Sequence, residues 1–143
     1  ELMVYNLGVD TIKTIYTYLL TVPVFFAMDM IWLGVIAKSF YAKQLSNFLT
    51  SNVNWVAAII FYLLYIIGII YFAVLPGIEK NSLKTVIISA ALFGGLAYAT
   101  YDLTNLATLK NWPMPIVIVD IIWGVVLTTT VAIASYNIAQ WLK

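Results

Sequence analysis

Residues 116–139 read IVIVDIIWGVVLTTTVAIASYNIA, an apolar run with a single charged side chain, Asp120. This run exceeds the ~20 residues that an α-helix needs to cross a ~30 Å hydrocarbon core. Three further runs of similar character occupy residues 14–37, 55–74 and 85–109. They are typical of helices, because a membrane β-strand would alternate apolar and polar residues. The sequence therefore predicts an all-α integral membrane protein, a bundle of four transmembrane helices.

The composition extends this prediction to the whole chain, residues 1–143, as a single membrane domain. Hydrophobic residues make up 64% of the chain and charged residues only 9%, against roughly 25% charged residues in ordinary soluble domains. A chain this apolar is not disordered. The net charge of +1, without arginine or a basic stripe, also argues against nucleic acid as a partner. The partner we expect is the lipid bilayer.

Lysines at the ends of the predicted helices indicate how the chain is oriented. With four spans, both termini and the second loop lie on one side of the membrane. Cytoplasmic loops of membrane proteins carry an excess of lysine and arginine, and the side with the termini holds one lysine more than the other. We therefore expect both termini in the cytoplasm. The lysines compared are Lys13, Lys80, Lys84 and Lys143 against Lys38, Lys43 and Lys110.

The first loop, residues 38–54, is long for so small a protein. Tyr41, Leu45, Phe48 and Leu49 recur at helical spacing, which predicts a short amphipathic helix on the membrane surface. A lid over a binding site is the alternative for this loop. We assign Tyr41, like the tryptophans near the predicted helix ends, to the aromatic belt of the membrane interface.

Three of the six acidic residues fall inside predicted spans: Asp29, Asp102 and Asp120. Each costs ~2.5–3.5 kcal/mol near the centre of a membrane helix, and such residues usually mark a functional site. Each lies seven or eight residues from a helix end on the side of the first and third loops. At 1.5 Å of rise per residue, all three are expected ~10–12 Å below the same surface. This shared depth predicts a binding site for an ion or substrate.

Polar and aromatic residues at a similar depth complete the predicted site. On the third helix they lie three or four residues apart and so share a face with Asp102. On the first and fourth helices, a tryptophan follows the aspartate by three residues. The second helix contributes two tyrosines. The candidate residues beside the aspartates are Asn105, Tyr101, Tyr98, Trp32, Trp123, Tyr62, Tyr65 and Thr104.

The missing residue types restrict the chemistry of this site. The chain has neither cysteine nor histidine, which removes the usual zinc ligands and the usual acid or base near neutral pH. No basic residue lies at the depth of the aspartates, so these must be protonated or hold a cation. We expect a bound proton or a hard cation such as Mg²⁺ or Ca²⁺, the metal case using Asp29, Asp102 and Asp120. No other cofactor is predicted.

Several stretches are similar to one known family. They are MDMIWLG at residues 28–34, FYLLY at 61–65, AVLPG at 73–77, YATYDLTNLAT at 98–108 and DIIWG at 120–124. Together they resemble a bacterial membrane protein family known as domain of unknown function 2177. The resemblance implies a compact four-helix protein of the bacterial inner membrane. It implies no particular activity.

The residues thus favour a small transporter or channel component that is linked to protons or cations. A homodimer and a small-molecule, ion or lipid ligand are compatible with this interpretation. One alternative is an intramembrane lipid-binding protein or a lipid-modifying enzyme that uses the carboxylates as acid and base. Another is a structural or partner-binding protein whose aspartates hold the helices together. Catalysis is the less favoured interpretation, and no catalytic residue is assigned.

Overall fold

The computed structural model describes residues 2–142, with side chains from Thr11 to Leu142. The chain is 85% helix and has no strand within the described residues. Four helical stretches are long and apolar enough to span a membrane. The predicted all-α fold with four transmembrane helices is therefore confirmed. The four stretches are Thr11–Ile36, Trp55–Glu79, Leu83–Thr108 and Met114–Trp141.

The first span ends in a wider turn that leads into the first loop. Helix α1 covers Leu2–Ile31, begins earlier than the predicted residue 14, and continues as a π-helical turn at Trp32–Ile36. Such turns are rare and occur frequently at functional sites. Helix α2, Lys38–Gln44, follows directly. It is shorter than the helix predicted for the first loop, since it contains Tyr41 but ends before Leu45, Phe48 and Leu49. The remainder of that loop leads to Asn54, whose side-chain oxygen caps the next helix by accepting from Ala57 N at 3.1 Å.

The second span continues beyond the predicted end at residue 74. Helix α3, Trp55–Ile69, passes through a π-helical turn, Ile70–Val74, into the short helix α4, Leu75–Glu79. Pro76 has no N–H to donate to the preceding turn, and a wider turn relieves the crowding that its ring imposes on a helix. The sequence AVLPG is therefore a break in helix geometry rather than the end of the span. The last two spans are uninterrupted α-helices, α5 at Leu83–Thr108 and α6 at Met114–Trp141.

Helices α5 and α6 pack most extensively and form the centre of the bundle. Their backbones approach closely at Gly94, where a Cβ atom would clash with the Gly124 carbonyl oxygen and the Thr128 side chain. Small residues allow this kind of contact between membrane helices. Hydrogen bonds between hydroxyl groups join other helices to α6. Thr21 on α1, for example, is hydrogen-bonded to Ser135 at 2.8 Å.

Helix α3 packs into the bundle along only part of its length. Residues such as Ile66 and Ile69 are fully buried, whereas none of the side chains in the described segment 55–64 is buried. We call the region around residues 65–77 the packed half. We call the region around 55–64, with the adjoining parts of α1, α5 and α6, the open half. The open half lies toward the first and third loops.

Candidate functional site

A cavity of about 560 Å³ lies in the open half, between α3 and the other helices. Asp29 from α1 and Asp120 from α6 both line it. Aromatic side chains supply most of the remaining wall. They include large tyrosines on α3 and α5, which are separated at this level. The complete lining consists of Asp29, Leu33, Tyr41, Ala58, Phe61, Tyr62, Ala97, Tyr98, Tyr101, Asp120 and Trp123.

Asp29 is held by an aromatic partner from the opposite helix. The indole N–H of Trp123 donates to Asp29 Oδ1 at 3.2 Å. Trp32 stacks on Trp123 with ring centroids 4.2 Å apart and ring planes 7° from parallel. The Tyr62 hydroxyl also lies near Asp29. Only 3% of Asp29 is exposed, so these neutral donors replace the water that it would otherwise bind.

Asp120 is held by the first loop. The Tyr41 hydroxyl on α2 donates to Asp120 Oδ1, and the Trp32 indole N–H donates to the same hydroxyl at 3.2 Å. Burial, followed by the hydrogen bond to Asp120, raises the pKa of Tyr41 above its ordinary value. The hydroxyl therefore stays protonated and remains a donor. This chain of bonds joins the π-helical turn, α2 and α6 on one side of the cavity.

The cavity is lined by acidic side chains without basic ones. The charges of Asp29 and Asp120 are close enough to act on each other, and no basic residue belongs to the lining. The hydrogen-bond donors to both carboxylates are neutral, so they lower the cost of burial without cancelling the charge. The cavity is consequently suited to a proton or a cation and unsuited to an anion.

Asp102 lies outside the cavity, although its charge and that of Asp120 are close enough to act on each other. It is fully buried, and neither of its oxygens has a hydrogen-bond partner among the described residues. The indole N–H of nearby Trp112 is also without a partner of good geometry within the same residues. Asp102 does not line the cavity, and no group of three acidic side chains suited to a metal forms in residues 11–142. The shared site thus contains two of the three aspartates.

The other predicted site residues also divide into those that line the cavity and those that lie outside it. Tyr62, Tyr98, Tyr101 and Trp123 line the cavity, and Trp32 lies behind it against Trp123. The remaining three lie elsewhere, because the depth of a residue does not determine the side of its helix on which it lies. Tyr65 bonds to Thr128 at 2.8 Å in the packed half, Asn105 lies beside Tyr101, and Thr104 is exposed and donates to the Thr100 carbonyl oxygen of its own helix.

Five lining residues were not among the predicted site residues. Tyr41 was assigned to the interfacial belt, although the lid alternative for its loop anticipated a position over a site. The other four are apolar and carry no functional signal of their own. Helical spacing from the predicted tyrosines would have found three of them, since residues three or four apart share a face. The five are Leu33, Tyr41, Ala58, Phe61 and Ala97.

The fold and cavity define a helical membrane protein with several spans and a polar site among them. The family model described as predicted membrane protein (DUF2177) matches residues 14–137. The chain belongs to this family, which confirms the resemblance drawn from the motifs. No curated protein and no solved structure matches the chain.

Proposed function

We propose that this protein is a transporter or channel component linked to protons or cations, in which Asp29 and Asp120 bind the ion. The observation that carries the proposal is that two carboxylates share one cavity whose lining contains no basic residue. Compared with the expectation from the sequence, the proposal removes Asp102 from the ion site. It adds Tyr41 as the hydroxyl donor to Asp120.

The physical argument rests on the cost of buried charge. An ionised aspartate in the middle of a membrane helix costs ~2.5–3.5 kcal/mol on insertion scales, and the two in this cavity also repel each other. Trp123 and Tyr41 donate one hydrogen bond each, while an ionised carboxylate has about four acceptor positions. A bound proton or cation would satisfy the remaining positions and relieve the repulsion. Binding and release of such an ion is the elementary step of ion-linked transport.

The shape of the open half supports exchange of that ion. Segment 55–64 has no buried side chain and is held mainly by contacts with α1, such as the packing of Tyr62 on Phe25. Regions with few buried apolar contacts open at low free-energy cost. Tyr41 reaches the cavity from α2, a helix of seven residues, and would move with it. The cavity therefore lies where the bundle changes shape most easily.

A flux measurement in proteoliposomes tests the proposal. Liposomes loaded with the pH dye pyranine, with and without a sodium or potassium gradient, report proton movement through the purified protein. We expect Asp120→Asn and Asp29→Asn each to reduce flux at least tenfold, because each removes one charge from the ion site. Flux that is unchanged in both variants would contradict the proposal and favour a structural role for the aspartates.

Two further variants make the result specific. Glu79→Gln changes a carboxylate to an amide at the exposed end of α4, and it should leave flux within about twofold of wild type. Asp102→Asn distinguishes a site with two carboxylates from one with three. A loss in Asp102→Asn as large as that in Asp120→Asn would mean that the third aspartate also binds the ion.

We also propose the bacterial inner membrane as the location, with both termini in the cytoplasm, from the family resemblance and the lysine distribution. In this orientation the open half faces away from the cytoplasm. Labelling with a membrane-impermeant thiol reagent checks the orientation, because the sequence contains no other cysteine. Ser51→Cys in the first loop should react in intact cells and Glu79→Cys only after lysis. The reverse pattern would invert the topology.

A further inference from the structure

We propose that the ligand of the cavity is an organic monocation with apolar substituents, of the quaternary or tertiary ammonium class. This inference rests on the proposed function, since it assigns a substrate class to the same two carboxylates. It draws on three properties of the cavity: the aromatic composition of its wall, its size and its access from the bilayer.

The wall of the cavity has the chemistry that recognises ammonium groups. Six of its side chains are aromatic: Tyr41, Phe61, Tyr62, Tyr98, Tyr101 and Trp123. The faces of such rings attract a cation within about 6 Å, and sets of them form the aromatic cages that bind quaternary ammonium ligands. Two carboxylates in the same wall supply the countercharge. With a neutral ligand, both carboxylates would remain buried without a compensating positive charge.

The donor set and the size of the cavity disfavour a bare metal ion as the principal ligand. Calcium takes six to eight oxygen ligands, and magnesium demands near-ideal octahedral geometry. The lining offers two carboxylates that are already engaged with Trp123 and Tyr41. The cavity volume of about 560 Å³ falls within the ~300–1,000 Å³ that small-molecule pockets usually have. An organic cation fills this space, and a metal ion does not.

The apolar substituents follow from the route of entry. Within the described segment 55–64, the face of α3 turned away from the cavity is exposed, and Val56 and Ile60 on it are apolar. In a membrane this segment contacts lipid, so a ligand can reach the cavity from the bilayer past α3. A cation that partitions into the bilayer must carry apolar groups. This requirement separates the proposed ligand from small inorganic cations.

A cysteine-protection experiment tests the proposal in the purified full chain. Ala58→Cys places a thiol in the lining, and Ala57→Cys places one on the adjacent exposed face as the matched control. Both are labelled with N-ethylmaleimide in the presence of benzyltrimethylammonium, benzyl alcohol or phenylmethanesulfonate, which share a benzyl group and differ in charge. We expect benzyltrimethylammonium to slow labelling of Ala58→Cys at least tenfold, with no effect on Ala57→Cys. The neutral and anionic probes should protect neither.

The charge of the carboxylates is tested in the same assay. Adding Asp120→Asn or Asp29→Asn to Ala58→Cys should raise the concentration for half-protection at least tenfold. Either variant is sufficient if the other does not fold. Equal protection by benzyl alcohol, or no protection by the cation, would overturn the inference.

The flux assay separates this inference from the function on which it rests. Proton flux that depends on Asp120, without protection by benzyltrimethylammonium, would leave a site for protons or inorganic cations and reject the organic ligand. Protection without flux that depends on either aspartate would retain the organic-cation site and reject ion-linked transport.

Discussion

The packed half and the open half of this bundle use polar residues in opposite ways. In the packed half, hydroxyls pair with one another across helices, as in Thr21 with Ser135 and Tyr65 with Thr128, each at 2.8 Å. In the open half, Asp29 and Asp120 face a cavity. Paired hydroxyls carry no net charge, whereas two ionised carboxylates do. The packed half therefore satisfies its polar groups within the bundle, and the open half is where we propose the ion site.

Side-chain size explains why α5 and α6 approach each other closely whereas α3 and α5 are separated. Gly94 and Gly124 bring α5 and α6 together, and the Tyr98 ring packs against Gly124. Toward the first and third loops, the facing residues include Phe61, Tyr62 and Tyr101. Bulky rings on both α3 and α5 prevent the close approach that small residues permit. The cavity therefore follows from the distribution of large and small side chains along the helices.

Glycine substitutions give the largest expected difference between the two halves. A Cβ atom on Gly94 would clash with the Gly124 carbonyl oxygen, whereas one on Gly34 meets nothing within 4 Å. Gly94→Ala should lower the free energy of unfolding by about 1–3 kcal/mol, the usual cost of overpacking. Gly34→Ala should be neutral or slightly stabilising, since alanine is the better helix former. Unfolding in mixed micelles with increasing dodecyl sulfate measures both, and equal effects would contradict the division into halves.

The number and approximate limits of the spans followed from the sequence because continuous apolar runs are unambiguous in a membrane protein. The two π-helical turns did not, since no residue pattern distinguishes a wider turn from an ordinary one. The second span was predicted to end at residue 74, and the helix instead continues to Glu79. The small residues of the third span lie on two faces of α5. Ala90 and Gly94 are buried, whereas Gly95 and Ala99 on the neighbouring face are partly exposed.

The sequence predicts a common depth for the three aspartates, but it does not predict the direction in which each side chain points. Depth follows from a rise of 1.5 Å per residue, which placed Asp29, Asp102 and Asp120 at one level. The direction of each side chain depends on how the helices pack, and Asp102 lies outside the cavity for that reason. Tyr41 was missed because a loop residue has no fixed depth. Its contact with Asp120 requires the turn at Trp32–Ile36 and helix α2 to return the chain over the cavity.

The hydrogen bond between Tyr65 and Thr128 in the packed half gives the second largest expected change in stability. Tyr65→Phe removes the bond to Thr128 Oγ1, and interhelical hydrogen bonds in membrane proteins average ~0.6 kcal/mol with a maximum near 1.7. We expect a loss of that size, measured by the same unfolding titration. Tyr71→Phe, at an exposed position of the same span, should have no effect. Adding Thr128→Val to Tyr65→Phe should cost less than the sum of the single changes, because both remove one bond. Strict additivity would mean that the bond contributes nothing.

Tyr41→Phe acts on access to the open half rather than on the packing of the spans. It removes the hydroxyl that joins α2 to Asp120, and one hydrogen bond contributes a net ~0.5–1.5 kcal/mol. If α2 covers the cavity, labelling of Ala58→Cys by N-ethylmaleimide should become roughly two- to tenfold faster, the factor that corresponds to this free energy. Tyr16→Phe, an exposed tyrosine on α1, is the matched control and should leave the rate unchanged.

The pH dependence of this effect has a definite sign. Burial and Asp120 raise the pKa of Tyr41, so its hydroxyl is protonated throughout the range below the ordinary tyrosine value of about 10. The hydrogen bond is fully present there and is lost only as the pH rises through the raised pKa. The ratio of labelling rates between Tyr41→Phe and wild type, both in the Ala58→Cys background, should therefore stay constant from pH 6 to 9. Thiol ionisation affects both proteins alike and cancels in the ratio. A ratio that falls to one within this range would show that Tyr41 ionises there, and that another contact holds α2 over the carboxylates.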